Sequence, residues 1–223
     1  MNRAEALAAL RARIRTAAEG RNVTLVAASK SQPADAIRAL ATAGQRQFGE
    51  NYVQEALAKQ RELSNLELEW HMIGPLQSNK CADVARHFDW LQSLDREKLV
   101  PLLDGARPKE LPPLNVLIEV NVDGESSKSG CAPEQIASLA EKIAQAPRLR
   151  LRGLMSIPAP LPDPDARRAA FARLHELFES LRNAHPHVNT LSMGMSDDFE
   201  LAIAEGATMV RVGTALFGPR RPR

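Results

Sequence analysis

Lys30 closes the run VTLVAAS (23–29), in which every residue is apolar or small. An amine at the end of such a run is partly desolvated, which favours its neutral form, and a neutral amine can attack an aldehyde. The plain structural alternative is a lysine that snorkels from a strand end to solvent. Two later segments bear on the choice. SMGMSDDFE (192–200) and RVGTALFG (211–218) each carry glycine beside hydroxyl side chains after a short apolar run. Backbone N–H groups of such turns, helped by Ser and Thr hydroxyls, can hold a phosphate dianion. Asp197 and Asp198 would compete with that anion for the same donors, and Ser196 could equally be a helix cap. Arg211 alternates with apolar neighbours in TMVRVG (208–213), so it needs a buried partner, either a ligand or a carboxylate such as Glu119.

Other chemistries find less support. His71 stands inside an apolar run, while His175, His185 and His187 lie on or after one helical segment, and no pair has the spacing of a zinc motif. No G-x-S-x-G or Cys-His arrangement points to a hydrolase. VDGESSKSG (122–130) lacks the Walker pattern of a nucleotide loop. The formal net charge is +2, and the basic cluster Arg220, Arg221 and Arg223 has no interleaved aromatics, so no nucleic-acid partner is expected. Aromatic residues make up only 4% of the chain, which leaves a ligand to be held by polar contacts. Cys81 and Cys131 read as two free thiols.

The elements that must position these residues alternate regularly. Short apolar runs at 23–29, 46–50, 68–74, 89–94, 115–122, 149–157, 190–194 and 208–213 are separated by segments of helical period. Eight strand–helix units in 223 residues fit one closed (β/α)8 barrel, residues 1–223 forming a single domain, better than an open doubly wound sheet. The first segment, MNRAEALAALRARIRTAAEG, is an additional amphipathic helix with Leu7, Leu10 and Ile14 on one face. It does not read as a signal peptide, and no run reaches membrane-spanning length, so no membrane partner is expected and a reducing cytoplasm is. Pro101 should kink or shorten the helix after the fourth strand. The stretches 105–114 and 158–164 read as an extended connection and a stiff loop. In a barrel, chemistry belongs at the carboxyl ends of the strands, and there stand Lys30, Glu50, Asn51, Gly74, Gln77, Ser78, Asn79, the Ser192–Ser196 turn, Gly213 and Thr214.

Taken together, AASKSQP around Lys30, FGENYVQE (48–55), WHMIGPLQSNK (70–80), SSKSG (126–130), GLMSIP (153–158), SMGMSDDFE and MVRVGTALFG resemble the YggS/PROSC family of pyridoxal phosphate homeostasis proteins. The resemblance spans nearly the whole chain. It implies an alanine-racemase-like barrel with pyridoxal 5′-phosphate held as a Schiff base on Lys30. The phosphate would lie near Ser192, Ser196, Gly213 and Thr214, Arg211 would stand near the ring nitrogen, and Asn51 and Met195 would line the pocket. Ser31 and Gln32 depart from the family, which often has Thr and Lys there; one nearby positive charge is lost.

Two functions follow from the resemblance. One is a carrier or buffer of the cofactor in intracellular homeostasis, affecting amino-acid metabolism without turnover, with apo-enzymes that need the cofactor as recipients. The other is an amino-acid racemase, the activity of related two-domain enzymes, which needs a base on each face of a planar intermediate. In those enzymes the second base is a tyrosine from an additional domain. Here no such domain is expected, and Tyr52 is the only tyrosine. The carrier is therefore the expected reading, as a monomer with an open pocket. Lys80 and Lys128 remain as other amines that could take the aldehyde. A barrel enzyme acting on a phosphorylated metabolite through Lys30 would need the same phosphate site.

Overall fold

The eight apolar runs become eight parallel strands because a strand covered on both faces has no polar side to show and reads as continuous hydrophobicity. A computed structural model describes residues 2–125, 129–158 and 163–218. Its strands are β1 (Thr24–Ala28), β2 (Gln47–Glu50), β3 (Glu69–Met72), β4 (Trp90–Leu94), β5 (Leu114–Glu119), β6 (Leu149–Met155), β7 (Thr190–Ser192) and β8 (Met209–Val212). They pair in sequence order, and β8 closes on β1 through Val26 opposite Arg211 and Ala27 opposite Val212. The expected closed barrel is what forms.

Around it lie α1 (Arg3–Ala18), α2 (Ala34–Thr42), α3 (Val53–Glu62), α4 (Cys81–His87), α5 (Val100–Ala106), α6 (Ile136–Ala144), α7 (Pro164–Ala184), α8 (Phe199–Ala204) and α9 (Thr214–Phe217). The extra helix α1 starts where Asn2 accepts from the Glu5 N–H and Glu5 reaches back to the Asn2 N–H, two otherwise unmet donors satisfied at once. Its buried face is the expected one, Leu7, Leu10 and Ile14. That face packs on α8 and α9, and Arg13 is paired in two-pronged fashion with Glu200. In α2, Ile37 and Leu40 are fully buried, and each such side chain contributes about 1.5–3 kcal/mol of burial energy.

The fourth unit departs from expectation. Pro101 interrupts nothing, because a 3₁₀ turn at Glu97–Leu99 comes first and the proline falls in the opening turn of α5, where its missing N–H is not needed. The fifth strand also ends sooner than its apolar run; beyond it Val120 makes only an isolated bridge to Cys131. Helix α9, a single turn after β8, was not expected. The centre of the stiff loop (159–162), the Ser126–Lys128 part of SSKSG and the basic tail lie outside the described residues. Among the described residues, no helix is long and apolar enough to cross a membrane.

Candidate functional site

A cleft opens at the carboxyl ends of the strands, on the side where β8, β1 and β2 are neighbours. Lys30, Asn51, Met195, Ser196, Arg211, Gly213 and Thr214 all line it. Adjacency explains the convergence. The residue after β1, the residue after β2 and the turn after β8 come from strands paired edge to edge, while β7 delivers Met195 and Ser196 from the next position. Ile73 and Ile157 add apolar wall, and Met195 and Ile157, 38% and 40% exposed, leave the mouth open to water. Asp197 lies in the lining as well, so the competing carboxylate noted in the sequence is present.

Ser192 departs from the arrangement expected of a phosphate contact. It is fully buried beneath the cleft and is not among the lining residues. Its hydroxyl donates to Gln92 Oε1 at 2.7 Å and accepts from Arg211 Nη1 at 2.6 Å. The physical reason is strand alternation: Ser192 is still within β7 and points into the barrel, whereas Ser196 stands beyond the strand on the turn. Ser196 is not the helix cap either. Asp198 holds the position before α8 but makes no side-chain capping bond; its Oδ1 instead accepts from the Met195 N–H at 2.7 Å, back in the turn. Gly194 makes the turn possible, with φ of 92° and no room for a Cβ, which would meet the Ala202 side chain at 2.6 Å.

The partner of Arg211 is not an ion pair. Besides Ser192 it bonds the Ser156 carbonyl at 2.9 Å, so two neutral oxygens hold a guanidinium that is only 3% exposed. Burial pulls its pKa down to about 10, opposed by Glu119 and Asp198, and the group stays charged at neutral pH. A full positive charge without a bonded carboxylate is therefore kept at the cleft floor. Nearby, Glu119 has been pushed up to about 7 by burial, with Asp95 adding to the rise and Arg211 opposing it.

Lys30 is set by residues on both sides of it. Lys59, 6% exposed on α3, donates to the Ser29 carbonyl at 2.8 Å, to both oxygens of fully buried Glu50 at 2.8 and 3.0 Å, and to Glu55 at 2.6 Å. Glu50 accepts from the Ser29 hydroxyl, and Glu55 accepts from the Ser31 N–H at 2.6 Å. Ser31 has φ of 62°, a left-handed conformation that a serine holds only when its surroundings impose it. Burial raises the pKa of Glu50, with Lys59 and Ser29 opposing the rise. Nothing in the local pattern of VQEALAK marks Lys59 as a buried lysine bonded to two carboxylates. The available signal was Glu50, a carboxylate closing β2 directly after Phe48 and Gly49.

Asn51 carries the clearest sign that the cleft takes a polar ligand. Its Oδ1 is buried and has no hydrogen-bond partner, although buried polar atoms are otherwise almost always paired. Lys80 ends a short 3₁₀ turn after β3 and does not line the cleft, and Lys128 lies outside the described residues.

Comparison with known proteins agrees over the same span. The family described as "Alanine racemase, N-terminal domain" matches residues 5–221. The chain is 57% identical over 222 residues to the pyridoxal phosphate homeostasis protein of Pseudomonas aeruginosa, covering 97% of this chain and 95% of that protein. It is 53% identical over 201 residues to that of Escherichia coli K12, covering 89% and 86%. Among solved structures, PipY of Synechococcus elongatus PCC7942 with PLP bound superposes with a TM-score of 0.87 at 40% identity, covering 97% of this chain and 100% of that one. Alanine racemase of Corynebacterium glutamicum shares the fold at 20% identity and a TM-score of 0.68, with this chain spanning 61% of its length.

Proposed function

The chain belongs to the alanine racemase N-terminal domain family, and from that membership we propose that it binds pyridoxal 5′-phosphate covalently through Lys30 and serves intracellular homeostasis of the cofactor as a carrier or buffer. The observation that carries this reading is the convergence, in one open cleft, of an amine, a buried guanidinium and two glycine-bearing turns. When bound, the cofactor supplies a reactive aldehyde on an electron-withdrawing ring. Lys30 is the amine for that aldehyde. Ser196, Gly213 and Thr214 would hold the phosphate, and Asn51 Oδ1 would accept a hydrogen bond from a donor group on the ring. Arg211 would donate to the ring nitrogen; it has no proton-accepting form in this range, so the ring would stay unprotonated and the stabilisation of a carbanion would stay weak.

The carrier reading is favoured over an amino-acid racemase by Tyr52. The chain's one tyrosine stands at the start of α3, is 58% exposed and does not line the cleft, so the lining offers no tyrosine as a second base. An open mouth suits release to apo-enzymes and suits a protected carbanion poorly. We place the protein in the cytoplasm as a monomer of one domain, with no nucleic-acid or membrane partner.

The test is reconstitution with the cofactor, borohydride reduction, peptide mapping and incubation with L-amino acids. A reducible visible band mapping to Lys30, absent from Lys30→Ala, with no racemisation, is the expected result. A protein that stays colourless, or a band retained in Lys30→Ala, removes the assignment to Lys30. Racemisation of any amino acid would make the protein an enzyme.

A further inference from the structure

Beneath the cleft a line of polar side chains crosses the barrel interior. Arg211 Nη1 on β8 donates to Ser192 Oγ on β7 at 2.6 Å, and that hydroxyl donates to Gln92 Oε1 on β4 at 2.7 Å. Gln92 Nε2 lies 2.9 Å from His71 Nδ1 on β3 and 3.2 Å from Met209 Sδ. His71 Nε2 lies 2.8 Å from Glu69 Oε1, at the amino end of β3. Ser192, Gln92 and His71 are fully buried, whereas the Glu69 side chain is 39% exposed.

The donor directions are forced. An amide NH₂ only donates, so His71 Nδ1 must accept and its Nε2–H must donate a hydrogen bond to Glu69. An amide oxygen only accepts, so the Ser192 proton points to Gln92 and its lone pairs face Arg211. Every link therefore donates away from Arg211 and toward the Glu69 carboxylate, and such aligned bonds polarise one another. Glu69 is held below the usual carboxylate range first by its bond to His71, with Trp90 also contributing, and His71 is fixed by stacking on Trp90 at 5.3 Å. Barrel interiors are ordinarily filled with branched apolar side chains, which would pack this volume without desolvating a glutamine, a serine and a histidine.

We propose that Gln92 and His71 are positioning residues for Arg211: through Ser192 they hold the guanidinium at the ring nitrogen of the bound cofactor while leaving its charge unneutralised. This rests on the reading that the cleft takes pyridoxal 5′-phosphate. A carboxylate bonded directly to Arg211 would also fix it but would cancel the charge that the ligand needs. The relay gives orientation from neutral dipoles and ends on a carboxylate at the far end of the barrel, while Glu119 and Asp198 act on Arg211 only through space, without a bond.

The experiment compares affinities for pyridoxal 5′-phosphate and for its 1-deaza analogue, in which a C–H replaces the ring nitrogen, by absorbance titration of the full chain. Wild type should prefer the nitrogen-bearing ligand by roughly tenfold or more, the value of a hydrogen bond from a charged donor. In Gln92→Leu that preference should fall to near one, while the deaza analogue binds as in wild type. A merely structural role would weaken both ligands alike. Glu69→Gln, at the half-exposed end, keeps the packing and should lower the preference by a smaller factor, which keeps the test open if Gln92→Leu fails to fold. An undiminished preference in either folded variant overturns the proposal, and so does a wild type without any preference. Binding of neither ligand by wild type overturns the cofactor reading itself, an outcome distinct from the others.

Discussion

Glu119 shows how folding changes a single residue. Its Oε2 is buried without a partner, and burial lifts its pKa from 4.5 to about 7. Between those values the unfolded chain releases a proton that the folded protein keeps. The contribution to stability is therefore intact below about pH 4.5 and is lost as the pH rises through about 7. The shift corresponds to about 3 kcal/mol, so Glu119→Gln should be more stable than wild type above pH 7 by up to that amount, with a flatter profile between pH 4.5 and 7. Urea melts at several pH values check this; parallel profiles for the two proteins would show that Glu119 ionises normally. The sequence exposed Glu119 only as a carboxylate near Arg211. That the two interact across space, with Arg211 bonded instead to Ser192 and Ser156, follows from which side of each strand faces the barrel axis. The Lys59 cluster makes the same point, because a lysine on a polar helical face is drawn inward only by carboxylates brought to it from β2 and its own helix. Breaking such a buried pair leaves an uncompensated charge and typically costs about 3–5 kcal/mol.

At the scale of elements, the site depends on how closely adjacent strand ends can approach. The turns after β2 and β3 nearly touch: a Cβ on Gly74 would lie 2.4 Å from the Asn51 carbonyl oxygen and 2.7 Å from its Cα. Those are backbone atoms and cannot rotate away. Gly74→Ala should therefore push the turn bearing Asn51 out of place, costing about 1–3 kcal/mol of stability and weakening cofactor binding more than that loss explains. Denaturant melts together with cofactor titration measure both; unchanged affinity would mean that Asn51 does not contribute. The strand–helix alternation was legible from periodicity, and so were the turns after β7 and β8. Elements of a single turn, such as α9, and the 3₁₀ start that makes Pro101 harmless were not, because one turn carries no period to read.

At the scale of the whole molecule, a ligand that binds only the folded chain stabilises all of it. Cofactor at about 100 times its dissociation constant should add about 2.7 kcal/mol, a rise in melting temperature of roughly 5–10 °C for a chain of this size. If the protein is a monomer, that rise should not depend on protein concentration. Lys30→Ala should keep only part of it, and a shift equal to wild type would show that the lysine adds nothing to binding. The sequence by itself determined the barrel and the strand ends at which chemistry can sit, because these follow from local periodicity; the resemblance of its short segments to a known family marked most residues of the cleft, but also Ser192, which lies beneath it. Only the tertiary structure decided that Ser192 supports Arg211 from below, that Lys59 steadies the turn around Lys30, and that Gln92 and His71 join the two ends of the barrel. Those contacts join residues from 19 to 100 positions apart wherever they cross between strands, and their partners are chosen by barrel closure and inward-facing registers that no local pattern encodes.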